Sequence, residues 1–269
     1  TIAGSKNWTT GGSPADYTDG QTALFDDTAT GYTVDISVAD VTPGNVNVTN
    51  STTAYTLQGS KAIAGSTSLT KQGSQRLTIL NANTYSGGTT ISAGTLQADA
   101  TGALGSGPVT LSGGTLSNNV TATLTNAVNL SSAATVGVGA SQTLTLSGNI
   151  TNNGGSVSKQ GAGTLVLSGN NTFTTQVLVR NGTVSVNSIK NGGVSCALGA
   201  APNSTTIQLG ATDGSGVLTY TGSGDTTDRK FTIGATASAA DSNGGTINNN
   251  GSGALTFTAS TFNSAVTGV

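Results

Sequence analysis

Residues 68–96 read SLTKQGSQRLTILNANTYSGGTTISAGTL, and residues 156–184 read SVSKQGAGTLVLSGNNTFTTQVLVRNGTV. The two stretches align without a gap at an offset of 88 residues. Lys71-Gln72-Gly73 meets Lys159-Gln160-Gly161, Leu77 meets Leu165, Asn83-Thr84-Tyr85 meets Asn171-Thr172-Phe173, and Gly94-Thr95-Leu96 meets Gly182-Thr183-Val184. Most differences keep the apolar or polar character of the site. The likeness resumes after small insertions, ALGSGPVTLSGGTL (103–116) returning as ALGAAPNSTTIQLGATDGSGVL (197–218). A third, partial copy opens with GSGALTFTASTF (251–262), which echoes GAGTLVLSGNNTF (161–173). A fixed internal period of this kind marks a stacked architecture.

Inside each unit the apolar residues alternate. Leu77/Ile79, Val109/Leu111, Val136/Val138, Leu144/Leu146, Leu165/Leu167, Val177/Val179, Val184/Val186 and Ile207/Leu209 are apolar pairs with one residue between them. Each pair is a short strand with one buried face. Turn signals fall between them, among them Gly87-Gly88, Gly113-Gly114, Asn153-Gly154, Asn181-Gly182 and Gly244-Gly245. No apolar stripe at helical spacing occurs. Such strands suit either an antiparallel sandwich or a parallel β-solenoid, and the long repeat favours the solenoid. At about 22 residues per coil, 88 residues make about four coils and the chain about twelve. The rod would then be on the order of 55–60 Å long at the usual strand spacing.

Composition narrows the function. Only 7% of the residues are charged, 40 are Gly, and Thr plus Ser supply roughly 80 more. The chain has no His and no Glu, so all 11 acidic residues are Asp. Without His, neither a Ser-His-Asp nor a Cys-His nucleophile can be assembled, nor a His-ligated zinc site. A lone cysteine, Cys196, rules out an internal disulfide and a thiolate cage, and reads as a small core residue. A net charge of −2 with cations scattered singly gives no field for nucleic acid or an anionic membrane. No apolar run approaches a membrane span. With Thr1 first and no leader, the chain is expected to be a processed or excised segment.

KQGAGTLVLSGNNTF and NTYSGGTTISAGTLQ resemble the autotransporter-associated β-strand repeat, also called the passenger-associated transport repeat. The first copy keeps Asn83-Thr84-Tyr85, Gly87-Gly88-Thr89 and Gly94-Thr95-Leu96, with Gln75-Arg76 in place of the usual Gly-Thr. The second keeps Gly161-Ala162-Gly163-Thr164-Leu165 and replaces Gly-Gly-Thr by Thr175-Gln176-Val177. The resemblance implies a right-handed parallel β-helix in a secreted or surface-displayed bacterial protein. It implies no activity.

Residues 1–60 read as N-terminal coils or a cap. Residues 61–269 read as the solenoid, with units near 68–155 and 156–250 and a partial unit at 251–269. Asp16, Asp19, Asp26 and Asp27 have the ligand type for Ca²⁺, but in no loop motif, and read as solvated turn residues. Trp8, Tyr17 and Phe25 are a candidate sugar platform, with packing at the end of the helix as the plainer reading. Asn-x-Ser/Thr, as at Asn50, Asn119, Asn149 and Asn170, occurs about as often as chance gives and marks no site. In SGDTTDRK (223–230), Asp225, Asp228, Arg229 and Lys230, together with Asp213, make the sole cluster comparable to a catalytic one. It reads as a solvated turn.

The expectation is therefore a non-enzymatic extracellular or cell-surface protein with no catalytic, metal or cofactor site. It is a fibre subunit or stalk associating head to tail through its solenoid ends. The alternative is an adhesive passenger that binds a surface glycan or protein. Neither nucleic acid nor a membrane span enters.

Overall fold

The computed structural model describes residues 8–10, 13–211, 214–234, 244–258 and 262–264. Over these residues the chain is all β, a solenoid of short parallel strands. Three faces carry the winding. The first has seven strands, from Thr22–Phe25 to Ile150–Asn152. The second has eleven, from Thr33–Asp35 to Phe262–Ser264. The third has six and begins only at Ala122–Leu124. Eleven stacked levels on the second face span about 48 Å at the parallel-strand spacing.

Coil length varies more than a single value of 22 allows. On the second face Thr95 pairs with Thr115 and Thr115 with Thr135, twenty residues per coil. Leu178 pairs with Gln208, a coil of thirty. Pairing depends on the strands alone, so the extra residues are accommodated in the corners between them.

The alternation read from the sequence maps directly onto the pleat. Leu77, Leu96, Leu116 and Val136 stack inward on the second face, all within 2% of full burial. Val48, Lys71, Ile91, Leu111 and Leu130 do so on the first. Each fully buried Leu or Ile contributes about 1.5–3 kcal/mol relative to exposure. The outward residues between them are uncharged over most of the winding. Thr70, Thr90, Thr110, Asn129 and Thr151 form one column, and Thr143, Thr164 and Thr183 another.

The repeat does not fill a whole number of coils. Strand Ser68–Lys71 lies on the first face, whereas its counterpart Val157–Gln160 lies on the second. Arg76–Ile79 lies on the second face and Thr164–Leu167 on the third. The second copy is thus wound four coils and one face beyond the first. The third copy's Leu255–Phe257 advances again, pairing with Asp225–Thr227 in a separate two-stranded sheet. A strand with one apolar side suits any of the faces, so nothing obliges a repeat to return to the face it left. Residues 259–261 of that copy lie outside the described residues.

Candidate functional site

The repeat's signature residues serve the corners. Asn83 Oδ1 accepts the Ile63 N–H at 2.8 Å and its Nδ2 donates to the Ala103 carbonyl at 2.8 Å. Asn171 does the same with Ile150 N–H at 2.7 Å and the Ala197 carbonyl at 2.6 Å. Each Asn therefore pins the coil before it to the coil after it. Tyr85 and Phe173 are fully buried beside them. Gly105 and Gly199 lie over these rings with φ of +63° and +79°. A Cβ at Gly199 would come within 2.5 Å of the Phe173 ring.

Lys71 and Lys159, scattered cations in the sequence, are wholly inaccessible. The Lys159 ammonium donates to the carbonyls of Gln160 (2.9 Å), Gly161 (2.6 Å) and Asn181 (3.1 Å). Lys71 donates to the Gly73 carbonyl. Burial holds both amines down to about 8. The Lys-Gln-Gly signature is thus a turn capped from inside by its own lysine.

At the N-terminal end the antiparallel pair Trp8–Thr10 and Ser13–Ala15 sets Trp8 against Tyr17 and Phe25, with ring centroids 5.7 and 5.5 Å apart. Phe25 continues onto Tyr55 at 5.4 Å. Below Trp8 lies a hollow of about 110 Å³ walled by Ala23, Phe25, Val34, Val46 and Leu57, with Asp16 and Asp35 also lining it. The aromatic residues are brought together, as packing rather than as an open platform.

The four N-terminal Asp are not brought together. Asp19 accepts the Thr42 N–H at 2.7 Å, and Asp27 accepts those of Ser51 and Thr52 at 2.9 Å, each reaching one coil on. Asp26 bonds Thr28 locally. These bonds hold all three carboxyls below the ordinary carboxylate range, through Thr42 for Asp19, Thr28 for Asp26 and Thr52 for Asp27. Among the described residues no group of three His, Cys, Asp or Glu is placed to hold a metal ion.

Segment 223–230 is not a solvated turn. Asp225, Thr227 and Arg229 are buried, because the longest coil places a loop, 187–206, directly over them. Asp225 pairs with Lys190 and accepts the Ile189 N–H at 2.9 Å and the Tyr220 hydroxyl at 3.1 Å. Burial raises its pKa, but Lys190 and these donors outweigh burial and leave it below the ordinary range. Arg229 donates to the carbonyls of Lys190 (2.8 Å), Val194 (3.2 Å) and Gly199 (2.7 Å). Asp228 accepts the Gly192 N–H at 2.7 Å and Asn203 Nδ2 at 3.3 Å. Cys196, also buried, bonds the Gly199 carbonyl. Asp213 lies outside the described residues. The charges act on backbone groups of the loop, which are 30 or more residues away in the chain. Local reading of the sequence could not supply those partners.

Residues 69–98 and 157–186 match the family model described as the passenger-associated-transport-repeat. The adhesin BmaC autotransporter of Brucella suis biovar 1 (strain 1330) is 34% identical to this chain over 239 residues. The match covers 83% of this chain but 6% of that relative. No solved structure matches the chain. The chain is extracellular or displayed at a bacterial cell surface. No helix among the described residues is long and apolar enough to cross a membrane. The chain is an autotransporter-associated-repeat protein, with two passenger-associated-transport-repeat units in one β-solenoid, the second wound one face round from the first.

Proposed function

We propose that this chain is a length of adhesive passenger, a stiff solenoid that holds contact surfaces away from the cell and performs no catalysis. The observation that supports this reading most is the extent of the likeness to the adhesin. It runs over 239 residues, far beyond the two repeat units. The stacked faces agree with it. Columns such as Thr70, Thr90 and Thr110 present hydroxyls at regular spacing without charge, a surface suited to standing in water rather than to chemistry. Asp225, Asp228 and Arg229 of segment 223–230 are committed to holding backbone.

Beads carrying the full chain should adhere to bacterial or epithelial cell layers more than beads carrying the heat-unfolded chain. Equal retention of the two would remove the adhesive reading. The fibre-subunit reading has its own test. Electron microscopy of the concentrated chain should show separate rods if the protein is a passenger segment. Continuous filaments would favour a self-assembling subunit instead.

A further inference from the structure

The second repeat copy carries something that the first lacks. Ala98 and Ala103 are five positions apart, whereas their counterparts Val186 and Ala197 are eleven apart. Leu104 to Val109 is likewise five, and Leu198 to Ile207 is nine. Two inserts have therefore entered one corner, and they have grown together. The Gly193 N–H donates to the Ala201 carbonyl at 3.0 Å. Gly192 lies so close to Asn203 that a Cβ would fall 2.3 Å from the Asn203 nitrogen. Asp228 beneath them bonds both inserts, through Gly192 and Asn203.

The solenoid does not need this apparatus. The first copy closes the same corner with Ala103-Leu104-Gly105 over Tyr85, and uses none of these charges. Yet Lys190, Asp225, Asp228 and Arg229, four of the chain's 20 charged residues, are gathered under the second. Their common effect is to fix a projecting knob in one shape. A rigid loop on a rigid scaffold loses little freedom on binding.

We infer that this knob is a recognition surface whose partner is an uncharged glycan, an inference that rests on the adhesive reading above. Its charges are consumed internally. Lys190 faces Asp225, the Asp228 carboxylate is met by two N–H donors, and the Arg229 guanidinium is buried among carbonyls. No cation group is gathered outward to hold an anion. Lys190 is half exposed, but its ammonium is neutralised by Asp225. The other exposed side chains of the knob include Asn191, Asn203, Val194 and Pro202, with Val194 half exposed. Asn191 Oδ1 accepts the Asp228 N–H and Asn203 Nδ2 donates to the Asp228 carboxylate, which leaves Asn191 Nδ2 as a donor and Asn203 Oδ1 as an acceptor for sugar hydroxyls. The two apolar side chains suit the C–H face of a pyranose. The apolar area is too small to anchor a protein partner by itself.

The test uses the full chain on immobilised dextran, mannan and cellulose, with heparin and alginate as anionic counterparts. Retention on at least one neutral polymer is expected, and Val194→Asp or Pro202→Asp, neither of which touches the bonds to Asp228, should weaken it at least about tenfold. Thr110→Ala, on a flat face, should bind as the parent does. Thermal melting checks that each variant is folded. Knob variants that bind like the parent would overturn the assignment of the knob, and a preference for heparin or alginate would overturn the neutral partner. Adhesion to cells with no retention on any polysaccharide would overturn the glycan while leaving the adhesive reading intact. A chain that binds neither cells nor polymers would overturn both.

Discussion

At the residue scale, the two repeat copies contain a matched exchange. Tyr85 and Thr89 share a buried hydroxyl hydrogen bond of 2.6 Å. The second copy has Phe173 and Val177 at the same places, both buried. Both hydroxyls are gone together, which leaves no orphan. Tyr85→Phe alone should therefore cost about 1–2 kcal/mol, because the Thr89 hydroxyl loses its partner. Adding Thr89→Val should recover most of that loss, and a double-mutant cycle on urea midpoints should show coupling of about 1 kcal/mol. Additive costs would mean that the hydroxyls do not depend on each other. The lysines give a second prediction. Burial holds Lys71 and Lys159 to about 8, well below the ordinary 10.5. Between those values the unfolded chain binds more protons than the folded one, so stability rises with pH across that window. Tyr85 acts in the opposite sense. Burial raises its pKa, so stability falls again where unfolded tyrosines ionise, near the top of the window. The melting temperature should therefore climb from pH 7.5 to 9.5, and Lys159→Met should flatten that climb. A parent chain whose melting is level over that range would contradict the burial of the two amines.

At the element scale, strands were legible and corners were not. The alternation Leu77/Ile79 or Val136/Val138 states which side of a strand is inward, and the structure places those residues inside. The same alternation is silent on which face a strand joins, so an offset of 88 read as four coils missed the extra face. Lys71 and Lys159 were not legible as core residues either. A lysine at an inward position needs carbonyls to receive its ammonium, and those come from the turn that follows and from Asn181, a coil away. Cluster 223–230 was hidden for the same reason, its partners lying in a distant insert. The glycine of the Ala-Leu-Gly corner offers a test of such cross-coil contacts. Gly199→Ala adds a Cβ against the Phe173 ring as well as adopting a left-handed φ, and Gly105→Ala meets the Tyr85 carbonyl at 2.3 Å. Gly20 shares the positive φ, at +84°, with nothing nearby. Gly20→Ala should therefore cost about 1–2 kcal/mol, from conformation alone. The two corner variants should cost at least about 2 kcal/mol more, since overpacking is added. Equal losses at all three positions would show that φ decides and that the stacked ring does not.

For the whole molecule, the winding makes stability local. Apart from the antiparallel pair at the N-terminal end, the described ladders run coil to coil, and a strand inside a face joins the coil before to the coil after, as Leu144 does with Ala122 on one side and Leu165 on the other. A solenoid of this kind behaves as a row of units coupled to their nearest neighbours. Leu144 is fully buried, and Leu144→Asp would set a carboxylate in the apolar column of the third face. That should cost more than about 4 kcal/mol at the site, because the charge has no partner there. The loss need not unfold the chain as a whole. Hydrogen exchange should accelerate most in Thr143–Leu146 and in its ladder partners Ala122–Leu124 and Thr164–Leu167. It should fade over the next coils and leave the first-face strands Asn45–Val48 and Ser68–Lys71 protected as in the parent. Uniform loss of protection from one end to the other would mean that the coils fold as a single cooperative block. A graded loss would mean that one level of the solenoid can open while its neighbours hold, as coupling between adjacent coils alone requires.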